Sequence, residues 1–217
     1  VRTTGGTGSP SAHPEQPTPL LDPPDDLAQR ALPIRSFVNP QWFRGHKAHR
    51  GPIYFNRTAG RFAALNGEFG TLYLGDDEFS SFLEAFSQEL LNHNAFGPMI
   101  SLNRLRRCCL CPVTATRTIH LVDLTNGPAL LQLSTNADNR INDGPHVTSQ
   151  RWARSFWEHS SKPDGLFYRS RRSPERHAIA LFDHTESDLQ GHCDQNLLTD
   201  PDRLASILDY FNCALIP

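Results

Sequence analysis

TLYLGDDEFSSFLEAFSQELLN, residues 71–92, decides the fold class. Thr71 to Leu74 has the apolar and aromatic make-up of a short strand, with Tyr73 on the opposite face from Leu72 and Leu74. Asp76 or Asp77 stands where a helix cap belongs, with a carboxylate able to accept a first-turn amide. From Glu78 to Asn92, Phe79, Phe82, Leu83, Phe86 and Leu90 recur at helical spacing and predict an amphipathic helix. A strand running through a cap into a helix is therefore the chain's central unit.

Upstream of it, Trp42-Phe43-Arg44 and Ile53-Tyr54-Phe55 read as short strands, followed by a loop from Asn56 to Asn66. Downstream, Arg117 to Leu124 alternates as a strand, with Ile119 and Leu121 on one face and His120 and Val122 on the other. Val147 to Trp157 is a second helix, burying Trp152, Ala153, Phe156 and Trp157. Leu166 to Ser170 and His177 to Phe182 form a strand pair around the polar turn from Arg171 to Arg176. A last helix runs from about Pro201 to Tyr210, started by Asp200 ahead of the proline. Strands and helices do not alternate regularly, which favours an α+β arrangement over a doubly wound parallel sheet.

With 217 residues, 38% of them hydrophobic and 20% charged, the chain can bury one substantial core. A single domain over residues 36–217 is expected. Residues 1–35 are rich in Pro, Gly, Ser and Thr, so burial cannot offset their ordering entropy, and a flexible arm is expected there with a short helix between Asp25 and Leu32. The formal net charge of −2 gives no long-range attraction to nucleic acid or anionic membranes, so any anion site must be local. No apolar run is long enough to span a bilayer, and the start, Val1-Arg2-Thr3-Thr4-Gly5, lacks the apolar stretch of a secretory signal. A cytoplasmic protein is expected. Cys108, Cys109, Cys111, Cys193 and Cys213 make an odd set that reads as reduced thiols rather than a disulfide framework.

Several residues carry possible chemistry. Arg61 follows a glycine in the loop before the strand, where its guanidinium can fork onto two phosphate oxygens; a surface arginine fits the spacing equally well. Tyr73 is either a ring lining a cleft or a half-buried strand tyrosine. Glu84 falls roughly 145° from the centre of its helix's apolar stripe, taking 100° per residue, and that position suits both a solvated face and a catalytic carboxylate. Ser170 lacks the G-x-S-x-G setting of a nucleophile, so a hydrogen-bonding role is expected. Cys108, Cys109 and Cys111 with His120, His192 and Cys193 match no usual zinc spacing, and no metal site is expected. The clusters Arg104, Arg106, Arg107 and Arg169, Arg171, Arg172 read as solvated strand ends rather than a nucleic-acid surface.

Taken in order, Phe43-Arg44, Gly60-Arg61-Phe62, Leu72-Tyr73-Leu74, Leu83-Glu84, Thr118 to Leu124 with Gly127-Pro128, Gln150 and Gly165 to Ser170 resemble the RES domain family. The resemblance covers about residues 40–183. It implies an ADP-ribosyltransferase-like fold with split β-sheets and flanking helices. It also implies an NAD-degrading toxin that cleaves the nicotinamide–ribose bond as a glycohydrolase or phosphorylase, silenced by an Xre-like antitoxin and possibly homodimeric. On this implication Glu84, Arg61 and Ser170 are catalytic, and Arg61, Tyr73, Arg44 and Ser170 bind NAD, which is substrate rather than cofactor. ADP-ribosyl transfer to a macromolecule and an inactive binding module are the alternatives.

Overall fold

The computed structural model describes residues 22–90, 97–133, 140–171, 173–193 and 197–217. The strands are β1 (Ile34–Phe37), β2 (Gln41–Lys47), β3 (Thr71–Gly75), β4 (Met99–Ser101), β5 (Cys108–Ala115), β6 (Ile119–Asp123), β7 (Gly165–Arg169), β8 (His177–Phe182), β9 (Leu189–Gly191) and β10 (Ala214–Ile216). The helices are α1 (Glu78–Leu90), α2 (Leu102–Arg106), α3 (Gly127–Leu133), α4 (Arg140–Asp143), α5 (His146–Glu158) and α6 (Pro201–Tyr210). None of the described helices is long and apolar enough to cross a membrane.

Eight strands run in the order β1-β6-β7-β8-β3-β2-β5-β9, and β10 pairs with β4 in a separate two-stranded sheet. Within the larger sheet only β6 and β7 are parallel, and α3, α4 and α5 form the crossover between them. The expected α+β domain is what forms. The sheet is also split. β3 pairs with β8 over five positions and β2 with β5 over seven, whereas β2 meets β3 only at Phe43 opposite Gly75. One register position joins two otherwise separate halves.

Side-chain alternation buries both sheet faces. Leu72, Leu74, Ile179, Leu181, Phe167 and Trp42 pack on one face. Ala178, Ala180, Phe182, Leu166 and Tyr168 face the other, against Trp152 and Phe156 of α5 and against Phe62 and Phe69 of the loop before β3. A third cluster joins Phe82 and Phe86 of α1 to Leu105, Leu204 and Ile207. The helix starts follow the sequence logic: Asp77 Oδ1 accepts the Ser80 amide at 2.7 Å and Asp200 Oδ1 accepts the Arg203 amide at 3.1 Å.

Three expectations need correction. Residues 22–35, expected in the arm, are packed: Leu27 is buried in the core, Asp22 pairs with Arg151, and Ile34 opposes Val122 in the sheet. Residues 1–21 lie outside the described residues. The segment from Ile53 to Phe55 is not a strand; Ile53 and Phe55 pack against the core, Tyr54 is exposed, and Asn56 bridges Thr71. Arg104 and Arg106 stand on α2 rather than at a strand end.

Candidate active site

The split in the sheet opens into a cleft of about 370 Å³, with walls from β2, β3, α1, the Gly60-Arg61 loop, α4 and the start of α5. Arg44, Arg61, Tyr73 and Glu84 all line it, from four separate stretches of chain.

The loop carrying Arg61 is held at each successive residue. Gln150 Nε2 of α5 donates to the Gly60 carbonyl at 3.2 Å, Arg61 Nη1 donates to the Gly144 carbonyl at 2.6 Å, and the Phe62 amide donates to Tyr73 Oη at 2.8 Å. Gly60 has φ of +134°, and a Cβ there would lie 2.5 Å from Tyr73 Oη, so this position requires glycine. Tyr73 thus serves as an anchor for the loop as well as a cleft wall. Burial pushes its phenol well above the ordinary range, and the ring stays protonated.

Glu84 projects from the polar side of α1 into the cleft. Ser170, at the end of β7, does not line the cavity; it is buried and its hydroxyl donates to Glu84 Oε1 at 3.0 Å. The serine therefore holds the carboxylate from behind. The Glu84 charge also acts on buried Tyr168, whose phenol is raised first by burial and then by the nearby carboxylate.

Arg44 has an unusual setting. Its Nη2 donates to the Tyr54 carbonyl at 3.0 Å, but Nη1 is buried without a hydrogen-bond partner among the described residues. Among the described residues no carboxylate pairs with it, and burial lowers the guanidinium from 12.5 to about 10. Arg44 thus sets a largely desolvated cation in the cavity wall, with Nη1 itself covered from water.

Sequence reasoning missed two cleft residues. Asn142 of α4 donates from Nδ2 to the Arg169 carbonyl at 2.7 Å, while its Oδ1 is buried without a partner among the described residues. His146, at the start of α5, is lowered from 6.5 by burial and then by Arg61 and Arg171, so it is neutral at neutral pH. Asn142 lies in a four-residue helix without apolar periodicity, and only the crossover brings it to the site.

The cysteines divide. Cys108 Sγ receives a hydrogen bond from Arg104, and His120 is engaged with Ser36, so neither joins the others. Cys109 and Cys193 come together with His46, a residue absent from the sequence-level set.

Residues 32–205 match the family model described as RES domain. The chain belongs to the RES domain family. A curated relative within reach of this RES chain is "Probable toxin y4kH" of Sinorhizobium fredii (strain NBRC 101917 / NGR234), 30% identical over 118 residues, which are 54% of this chain and 90% of the relative. The fold is similar to a chain in the crystal structure of the M. tuberculosis MbcT-MbcA toxin-antitoxin complex, with TM-score 0.58 and 17% identity over 84% of this chain and 98% of that one. The RES match spans every cleft residue named above.

Proposed function

We propose that this RES domain is an NAD-cleaving toxin whose substrate occupies the cleft at the split in the sheet. The observation that carries the reading is that the desolvated guanidinium of Arg44 lines the same cavity as Glu84, whose carboxylate is held by Ser170. The pair offers a site for pyrophosphate and a negative charge for the sugar.

In the proposed reaction the bond between ribose C1′ and the nicotinamide nitrogen breaks, and its electron pair leaves with the base as neutral nicotinamide. Positive charge builds on the ribose, and the Glu84 carboxylate stabilises that charge more in the transition state than in the ground state. Water, or phosphate in the phosphorolytic form, then bonds to C1′; with water, one proton is released. Arg61 and Arg44 hold the phosphates, and Tyr73 packs beside the reacting end. Ser170 acts through Glu84, as a positioning residue. The toxin reading draws on the name of the S. fredii relative, and an antitoxin partner on the complex that supplies the similar fold.

Incubating the purified chain with NAD and following nicotinamide tests this reading. Release of nicotinamide by wild type and its loss in Glu84→Gln are expected. NAD left intact by the folded wild type refutes it, and label from NAD retained on a macromolecule assigns the transferase reaction instead.

A further inference from the structure

His46 and Cys109 stand directly opposite one another across the β2–β5 ladder, and directly opposed residues project from the same face. Cys111, two residues along β5, shares that face with Cys109. β9 pairs with β5 so that Val113 opposes Gly191, and carrying the same register on by two residues sets Cys193 opposite Cys111. Three neighbouring segments thereby bring one imidazole and three thiols to one patch of sheet.

The atoms agree with the register. The ligating atoms of His46, Cys109 and Cys193 lie within 4.8 Å of one another, and Cys111 Sγ lies 3.4 Å from His46 Nε2. A tetrahedral ion with bonds of about 2.3 Å to sulfur and about 2.0 Å to nitrogen sets its ligands about 3.5 Å apart, so on binding the trio must draw together and Cys111, which touches His46, must turn in to join it. His46 is also oriented as a metal-binding histidine is. Its Nδ1 lies 3.0 Å from the Lys47 carbonyl, and a proton held there leaves Nε2 with its lone pair toward the sulfurs.

We propose that His46, Cys109, Cys111 and Cys193 form a structural zinc site that fastens the end of β9 to the β2–β5 ladder. Three sulfurs and one nitrogen suit zinc, and a set of four protein ligands leaves no open position for catalysis. On binding, each thiol gives up its proton, so three protons are released and the three thiolates with the divalent ion carry one net negative charge. The site adjoins the cleft: Cys111 stands directly opposite Arg44 across the β2–β5 ladder, and Arg44 lines the cleft wall. His46 and Cys109 are buried and Cys193 is half-buried, so the ion enters from the Cys193 side.

The test is metal analysis of the full chain purified under reducing conditions without added chelator. One zinc per chain is expected, and cobalt in its place should give the intense thiolate charge-transfer bands of a tetrahedral sulfur-rich site. Cys193→Ser, at the rim of the cluster, should lose the metal while keeping the wild-type circular dichroism. Cys108→Ser, on the other side of the strand, should retain it. The proposal is overturned if the wild type holds no zinc and fails to draw it from a chromogenic chelator. It is equally overturned if Cys193→Ser binds as much metal as wild type, or if mass analysis finds Cys109 and Cys193 joined as a disulfide.

Discussion

The Ser170 hydroxyl donates to Glu84 Oε1 at 3.0 Å, linking the end of β7 to the middle of α1 across 86 positions of sequence. Because Ser170 is buried and the glutamate lines the cleft, the serine sets where the charge sits and does not itself face the cavity. Removing the charge in Glu84→Gln is expected to cost about 3 kcal/mol of transition-state stabilisation, on the order of a hundredfold in rate. Ser170→Ala should lower kcat by a smaller factor with KM unchanged. The double variant should be no slower than Glu84→Gln alone, because the serine acts through the carboxylate. Additive losses in nicotinamide release would give Ser170 an independent role.

Arg44 predicts a trade between binding and stability. Its buried Nη1 has no acceptor among the described residues, so the folded protein bears a desolvation cost there. Arg44→Met should weaken NAD binding in calorimetry while leaving Tm equal to or above that of wild type. A lower Tm with unchanged affinity would show that the guanidinium serves the fold.

The Phe62 amide depends on Tyr73 Oη for its hydrogen bond. Tyr73→Phe is expected to cost about 1 kcal/mol in urea unfolding, with a further loss of activity as the Arg61 loop loosens. Gly60→Ala should be worse, since it combines a positive φ with a Cβ pressed on the Tyr73 ring. An alanine variant as stable as wild type would mean that the loop is held elsewhere.

Acid sensitivity should centre on Asp164. Burial raises this carboxyl, but hydrogen bonds from Arg117, His184 and the His120 amide outweigh it and hold the group well below its ordinary 3.8. The unfolded chain takes up the proton first, so the stabilisation is present above the unfolded value and is lost as pH falls through and below about 4. Asp164→Asn should lower Tm at neutral pH, by an amount equivalent to about 2 kcal/mol or more. The gap to wild type should narrow below about pH 4; a gap constant with pH would remove the carboxylate as its source.

How much of this was legible in the sequence depends on how local each signal is. The β3–α1 unit was readable because alternation, cap and helical period all fall within one short stretch, and it delivered Tyr73 and Glu84. β5 was not, because Cys108, Cys109, Cys111 and Pro112 lack the marks of a strand. Pro112 is tolerated where β5 has β2 on one side, before pairing with β9 begins at Val113. Ile53 to Phe55 misleads in the opposite sense: its composition reports partial burial, which Ile53 and Phe55 achieve without joining a ladder while Tyr54 stays exposed. Asn142 and His146 were invisible because no local pattern marks a residue delivered by a crossover. The thiol cluster needed the register of three segments, which composition does not encode.

At Gly45, β2 lies so close to α1 that an added Cβ would stand 2.5 Å from the Ala85 methyl group. Gly45 and Ala85 both line the cleft, so bulk at 45 or 85 would narrow the aperture and press on the helix that carries Glu84. The room left for a ligand and the distance between Arg44 and Glu84 are therefore set by one close contact, between the neighbours that follow each of them in the chain.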